Sequence, residues 1–216
     1  MVTVCWSPKG GSGTTVVAAS MALELARAHG EAVVVDLDGD VPSVLGLADQ
    51  GGWGVRSWLA AEHADADGLR RLVQPAAHGL GVVPAGDGHV PPWPRGRVAA
   101  LAEVLHSWPE PVVVDAGRYS PEWHELLATA PSSLAVLRPC YLALRRAVAL
   151  PVRPSGVVLV QEPGRSLDRR DIEDVLGVPV VAVVPYDPSV ARAVDAGLLL
   201  AGRLPRTLTR SVRAAA

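Results

Sequence analysis

The chemistry of this sequence is concentrated in the run Ser7-Pro8-Lys9-Gly10-Gly11-Ser12-Gly13-Thr14-Thr15. Closely spaced glycines let successive main-chain amides curl around an anion, and a helix that begins directly after them adds its partial positive charge. Thr15, one residue into that helix, is placed to offer a hydroxyl to Mg²⁺. Lys9 is the lone lysine among 20 Lys plus Arg. Its compact ammonium suits a place between phosphates that a planar guanidinium does not fit. Against the pattern G-x-x-x-x-G-K-[ST], two positions differ: Pro8 stands for the first glycine and Thr14 for the lysine.

Carboxylates form the second group. Asp36, Asp38 and Asp40 close one valine-rich run and Asp115 closes another. Taken singly they read as turn or capping residues. Their order after a phosphate loop gives them another meaning. Metal and water chemistry needs carboxylates at the carboxyl ends of parallel strands, the edge that also carries the loop.

The elements that must position these groups follow the α/β pattern. Strands are predicted at Val2 to Ser7, Ala32 to Asp36, Leu80 to Pro84, Pro111 to Asp115, Ser133 to Leu137, Gly156 to Gln161 and Pro179 to Val184. Most are apolar throughout, as parallel strands covered on both faces are. Helices are predicted at Thr14 to His29, Arg95 to Trp108, Glu122 to Ala130, Tyr141 to Leu150, Leu167 to Leu176 and Pro188 to Ala196. In the first, Ala18, Met21, Ala22, Leu25 and Ala26 form one stripe, closed by His29-Gly30. Between Gly51 and Ala77 two short helices are expected, one with Trp53 and Trp58 and one near Leu69 to Val73. The expectation is a single α/β domain over 1–216, a mostly parallel sheet of about seven strands flanked by helices, of the P-loop nucleotide-binding kind.

Bulk properties agree. The 216 residues are 49% apolar and 19% charged with a formal net charge of −2, which excludes a disordered chain and a globally cationic surface. Cys5 and Cys140 lack metal-ligand spacing and read as reduced thiols. The sequence shows neither a secretory signal nor a run of about 18 apolar residues, so a cytoplasmic protein is expected.

The segment K-G-G-S-G-x-T after a first strand resembles the deviant Walker A loop of the ParA/MinD ATPases, including their CpaE-like pilus and septum-site branch. The resemblance continues along nearly the whole chain. V-V-V-D-L-D-G-D at Val33 to Asp40 is similar to the family's D-x-D segment, and G-L-G-V-V-P-A-G at Gly79 to Gly86 to its next strand. V-V-V-D-A-G at Val112 to Gly117 stands as a Walker B strand, and L-G-V-P-V-V-A-V-V-P-Y-D at Leu176 to Asp187 resembles the last strand and adenine-side loop.

The resemblance implies ATP and Mg²⁺ as ligands. It assigns Gly10, Gly11, Ser12, Gly13, Thr14 and Thr15 to the phosphates, and Thr15, Asp36 and Asp115 to the metal. Asp38 would help position the attacking water. Lys9 would reach across a nucleotide-dependent homodimer. Gln161, in place of an asparagine, would read adenine, and Pro185 would pack near the purine.

Thr14 cannot supply the cation that bridges β- and γ-phosphate as the bond breaks. Three outcomes stay open: a slow ATPase, a nucleotide switch without turnover, or a pseudo-ATPase scaffold that binds a protein partner. Arg118 and Arg138, each following a strand, are candidates to replace the charge. At the C-terminus, Leu204, Leu208 and Val212 recur among Arg203, Arg206, Arg210 and Arg213, with Pro205 interrupting the start. This short basic segment, about 203–216, is expected to dock on its own domain. Non-specific DNA or a membrane surface, at the nucleoid or the inner membrane face, are its other possible partners. The implied role is spatial organisation: chromosome partitioning, septum placement or pilus localisation.

Overall fold

Valine-rich runs without polar alternation need cover on both faces, and the computed structural model shows them covered. The structure describes residues 1–48, 51–88, 90–201 and 206–215. In chain order the elements are β1 (Val2–Ser7), α1 (Thr14–His29), β2 (Ala32–Asp36), α2 (Val41–Leu45), α3 (Val55–Ala60), α4 (Ala66–Arg70), β3 (Gln74–Pro75), β4 (Leu80–Val83), α5 (Arg97–Ser107) and β5 (Val112–Arg118). A 3-10 turn (Pro121–Trp123) leads into α6 (His124–Thr129). Then follow β6 (Ser132–Leu137), α7 (Tyr141–Ala149), β7 (Gly156–Gln161), α8 (Arg169–Leu176), β8 (Val180–Pro185), α9 (Pro188–Asp195) and α10 (Arg206–Ala215).

The strands form one sheet in the order β3-β4-β2-β5-β1-β6-β7-β8. All neighbours are parallel except β3, which pairs antiparallel with β4. Alternate residues divide between two cores. Val4, Trp6, Val33, Val35, Val112 and Val114 face the layer of α3, α5, α6, α7 and α8, whereas Cys5, Val34, Val113, Val136 and Val158 face α1, α2 and α10. The chain leaves β1 toward β2 on one side and leaves β6 toward β7 on the other, so the direction of winding reverses between β1 and β6. In open parallel sheets such a reversal opens a crevice at the carboxyl edge.

The α/β fold is the one expected from the sequence, with differences that have local causes. The helix expected from Arg95 starts at Arg97, because Gly96 is left-handed at φ 79° and ends the preceding loop. The helix expected over Glu122 to Ala130 is divided between the 3-10 turn and α6. Trp58 lies on α3, buried beneath the Arg97 guanidinium 3.8 Å from its ring centroid, while Trp53 stays outside the helix and exposed. The helix expected near Leu69 to Val73 lies earlier, as α4. Two elements, α2 and β3, have no counterpart in the sequence reading.

The C-terminal helix α10 lies on α1 and β8. Leu208 and Val212 are buried, the Ser211 hydroxyl donates to the Val183 carbonyl at 2.7 Å, and Arg213 Nε donates to Glu24 Oε2 at 2.6 Å. Glu24, in the middle of α1, also receives Arg27 at 2.6 Å, so a buried carboxylate has two cationic partners. The apolar face of α10 therefore belongs to the domain core. Arg203, Leu204 and Pro205 lie outside the described residues. Among those described, no helix is long and apolar enough to cross a membrane.

Candidate functional site

The glycine-rich loop leaves β1 at Ser7 and enters α1 at Thr14. Its base is fastened to β5: Ser7 Oγ donates to the Gly117 carbonyl at 3.4 Å, and Tyr119 N–H donates to the Ser7 carbonyl at 2.8 Å. Ser12 Oγ donates to the Lys9 carbonyl at 2.9 Å and closes the loop on itself. Gly11 and Gly13 are left-handed, at φ 80° and 86°, and nothing stands within 4 Å of where their Cβ atoms would be. These two positions thus open onto space that side chains would fill. Gly13 caps α1 without any side-chain hydrogen bond, and the first turn carries no acidic residue. The first amides of a 16-residue helix are left for an external acceptor. Thr14 is 6% exposed, and Lys9 is half-buried.

The carboxylates assemble beside this loop. Asp36 and Asp115 are register partners across β2 and β5, and both are fully buried. Asp36 is engaged by its own turn: Oδ1 accepts from the amides of Asp38 (3.1 Å) and Gly39 (2.7 Å), and Oδ2 from that of Val41 (3.0 Å). It shapes the segment that carries Asp38. Burial pushes its pKa up against those three amides.

Asp115 is placed differently. Oδ1 accepts from the Gly117 amide at 3.1 Å, while Oδ2 is buried with no hydrogen-bond partner. Burial raises its pKa to about 7, opposed by the Thr15 hydroxyl and the Gly117 amide and reinforced by Asp36 and Asp38. An orphaned buried carboxylate oxygen beside a threonine hydroxyl is the donor set that a hard cation takes. Among the described residues no group of three or more His, Cys, Asp or Glu forms a cation site by itself. Mg²⁺ fits the residues present if nucleotide phosphate oxygens complete its shell.

Asp38 stands over Gly117, and Arg56 of α3 fixes its backbone by donating to the carbonyls of Leu37 (3.1 Å) and Asp38 (2.9 Å). Burial and Asp40 raise the Asp38 pKa, opposed by Arg56 and Arg118.

On the other side of the loop a cavity of about 280 Å³ opens between α1, β7, β8 and α9. Ser12, Gly13, Val16, Val160, Val184, Tyr186 and Val190 are among its lining. Gln161 and Pro185 are register partners at the ends of β7 and β8, joined by the Tyr186 amide donating to the Gln161 carbonyl at 2.8 Å. They stand beside this cavity rather than in its wall. The aliphatic lining carries no signal in the sequence, because a valine facing a cavity is indistinguishable there from one facing the core. Arg138 also lines the cavity and is paired with Glu162 at 2.7 Å.

The structure therefore brings the loop, Thr15, Asp36, Asp38 and Asp115 to one edge, with an apolar cavity at the other end of the loop. That is the layout of a nucleotide site at a topological switch point.

Comparison with known proteins finds similar sequences and similar folds. An uncharacterised ATP-binding protein of Methanocaldococcus jannaschii is 26% identical over 207 residues, spanning 88% of this chain and 76% of the relative. A ParA family ATPase from Chlorobium tepidum is similar in structure, with TM-score 0.76 and 21% identity over 98% of this chain and 96% of that one. The septum site-determining protein MinD of Pyrococcus horikoshii, solved with Mg-ADP, gives 0.73 and 20% over 99% and 94%. At these identities the two structures show a shared fold. The profile of the CobQ/CobB/MinD/ParA nucleotide binding domain matches residues 3–200, nearly the whole sheet and every carboxylate of the site, and the chain belongs to that family.

Proposed function

We propose that this chain is an ATP-binding switch of the ParA/MinD type that holds ATP with Mg²⁺ and hydrolyses it slowly. The observation that carries the reading is the buried Asp115, whose Oδ2 has no partner, next to Thr15 at the end of a loop whose Gly11 and Gly13 open onto free space. Thr15 and Asp115 would hold the ion, which supplies neutralisation of phosphate charge. The amides from Gly10 to Thr15 bind and orient the phosphates, and the cavity walled by Val16, Val160 and Val184 takes the base and excludes water from it. Asp38, held by its turn and by Arg56, orients a water molecule toward the terminal phosphate.

Thr14 limits turnover. Phosphoryl transfer rests on positioning and electrostatics, and losing one preorganised charge lowers rates by about 10²–10³. This residue is also the specific observation that favours the second reading, a non-hydrolysing scaffold that recruits a protein partner. In the first reading Lys9 reaches a second copy, the ATP-bound dimer is the active state, and the protein works in the cytoplasm in chromosome partitioning, septum placement or pilus localisation. With the apolar face of α10 buried, a basic surface on DNA is favoured over membrane insertion, and any such binding should fall steeply with salt.

The test measures nucleotide binding, phosphate release and molar mass of the purified protein with ATP and Mg²⁺. The switch reading expects binding, a doubled mass with ATP, slow phosphate release, and a Lys9→Ala variant that binds but stays monomeric. Binding without release or a change of mass supports the scaffold. Absence of binding rejects both.

A further inference from the structure

Two arginines stand at the carboxyl edge, Arg118 as the last residue of β5 and Arg138 directly after β6, and their surroundings differ. Arg138 is paired with Glu162, which Arg165 also holds, and it belongs to the base-side cavity. Arg118, the last residue of β5, is exposed, and its guanidinium makes no hydrogen bond or ion pair among the described residues. It is nonetheless closely placed. It is the register partner of Ser7, and the hydrogen bonds from Ser7 Oγ to Gly117 and from Tyr119 to Ser7 fasten the backbone on both sides of it. Its Cδ lies 3.9 Å from where a Cβ on Gly10 would stand, so the side chain runs beside the first glycine of the loop. Its charge also reaches Asp38.

The sheet order gives the direction of a bound nucleotide. The base-side cavity lies over β7 and β8, α1 begins at the centre, and Gly10, Arg118, Asp38 and Asp115 lie toward β5 and β2. A triphosphate running from the cavity across the start of α1 would carry its terminal phosphate toward the side of the loop where Gly10 and Arg118 lie.

We propose that Arg118 binds the terminal phosphate in cis and supplies the charge that Thr14 lacks. This rests on the reading of the loop as an ATP site. A guanidinium is a planar fork that meets two phosphate oxygens at once, and a cationic arginine in cis is a known solution for charge that develops in phosphoryl transfer. It also gives the site a way to tell ATP from ADP, since only ATP carries the group that Arg118 touches.

The experiment measures ATP and ADP affinities of the wild type, Arg118→Ala, Arg118→Gln and the double variant Thr14→Lys/Arg118→Ala, with thermal midpoints as a check on folding. Loss of a charge-assisted contact should weaken ATP binding about 10- to 100-fold while ADP binding changes little. Thr14→Lys in the Arg118→Ala background should recover most of the lost ATP affinity. Arg118 variants that bind ATP as the wild type does, or that lose ATP and ADP affinity equally, overturn the proposal. So does a folded double variant that binds ADP without recovering ATP. A wild type with no affinity for either nucleotide is a separate result, and it removes the site itself.

Discussion

The Asp38 carboxylate rests directly on Gly117: a Cβ at residue 117 would lie 2.2 Å from Asp38 Cγ. Gly117 also has φ 57°, a left-handed value that costs an ordinary residue strain. β5 thus presents bare backbone where β2 delivers a carboxylate, between Asp115 and Arg118. Gly117→Ala should displace Asp38 and destabilise the fold by about 2 kcal/mol or more, from overpacking added to backbone strain. Denaturant melts and phosphate-release rates would both register it, and an unchanged midpoint would show that Asp38 yields without cost.

Asp115 makes the nucleotide-free protein sensitive to pH. Its folded pKa of about 7 lies above the ordinary carboxylate value, so folding takes up a proton. Its contribution to stability is full below the unfolded value of about 4 and is lost as pH rises through the folded one. The thermal midpoint of the metal-free protein should therefore fall between about pH 4 and pH 7. Asp115→Asn should flatten that dependence, and an equally steep fall in the variant would place its origin elsewhere.

The C-terminal helix should behave as core. Leu208 is 1% exposed, and Leu208→Ala is expected to cost about 2–5 kcal/mol in equilibrium unfolding. With Leu208 and Val212 turned inward, the folded protein should not sediment with vesicles rich in anionic lipid. Sedimentation without unfolding would mean that α10 leaves the domain.

The parts of the fold most legible in the sequence are those with one dominant cause. Strands such as Ala32–Asp36 and Gly156–Gln161 are continuous apolar runs because helices cover both faces, and α1 is framed by glycines at each end. Less legible were elements where two rules compete. α2 begins Val41-Pro42, and proline there reads as a turn although a first helical turn accepts it. β3 is two residues long and includes Pro75, which is tolerated because β3 is the edge strand.

The site shows the same division. The order of loop, Asp36, Asp38 and Asp115 was readable, since topology carries those positions to one edge. What each carboxylate does there was not. Both oxygens of Asp36 are taken by amides of its own turn, whereas Asp115 keeps one oxygen without a partner, and only the folded backbone distinguishes them. Arg118 and Arg138 likewise have equal standing in the sequence, and only the folded chain sets Glu162 beside Arg138.

The most direct measurement is an isothermal titration of ATP with Mg²⁺ into the wild type and into Gly11→Ala. Gly11 is exposed, with open space on its Cβ side, so the substitution adds only left-handed strain of about 1–2 kcal/mol while placing a methyl group where the amides would meet phosphate. The expected result is saturable one-to-one binding by the wild type and its loss in a variant that remains folded. A wild type that gives no binding, or a Gly11→Ala protein that binds equally well, would contradict the assignment of this loop to the triphosphate.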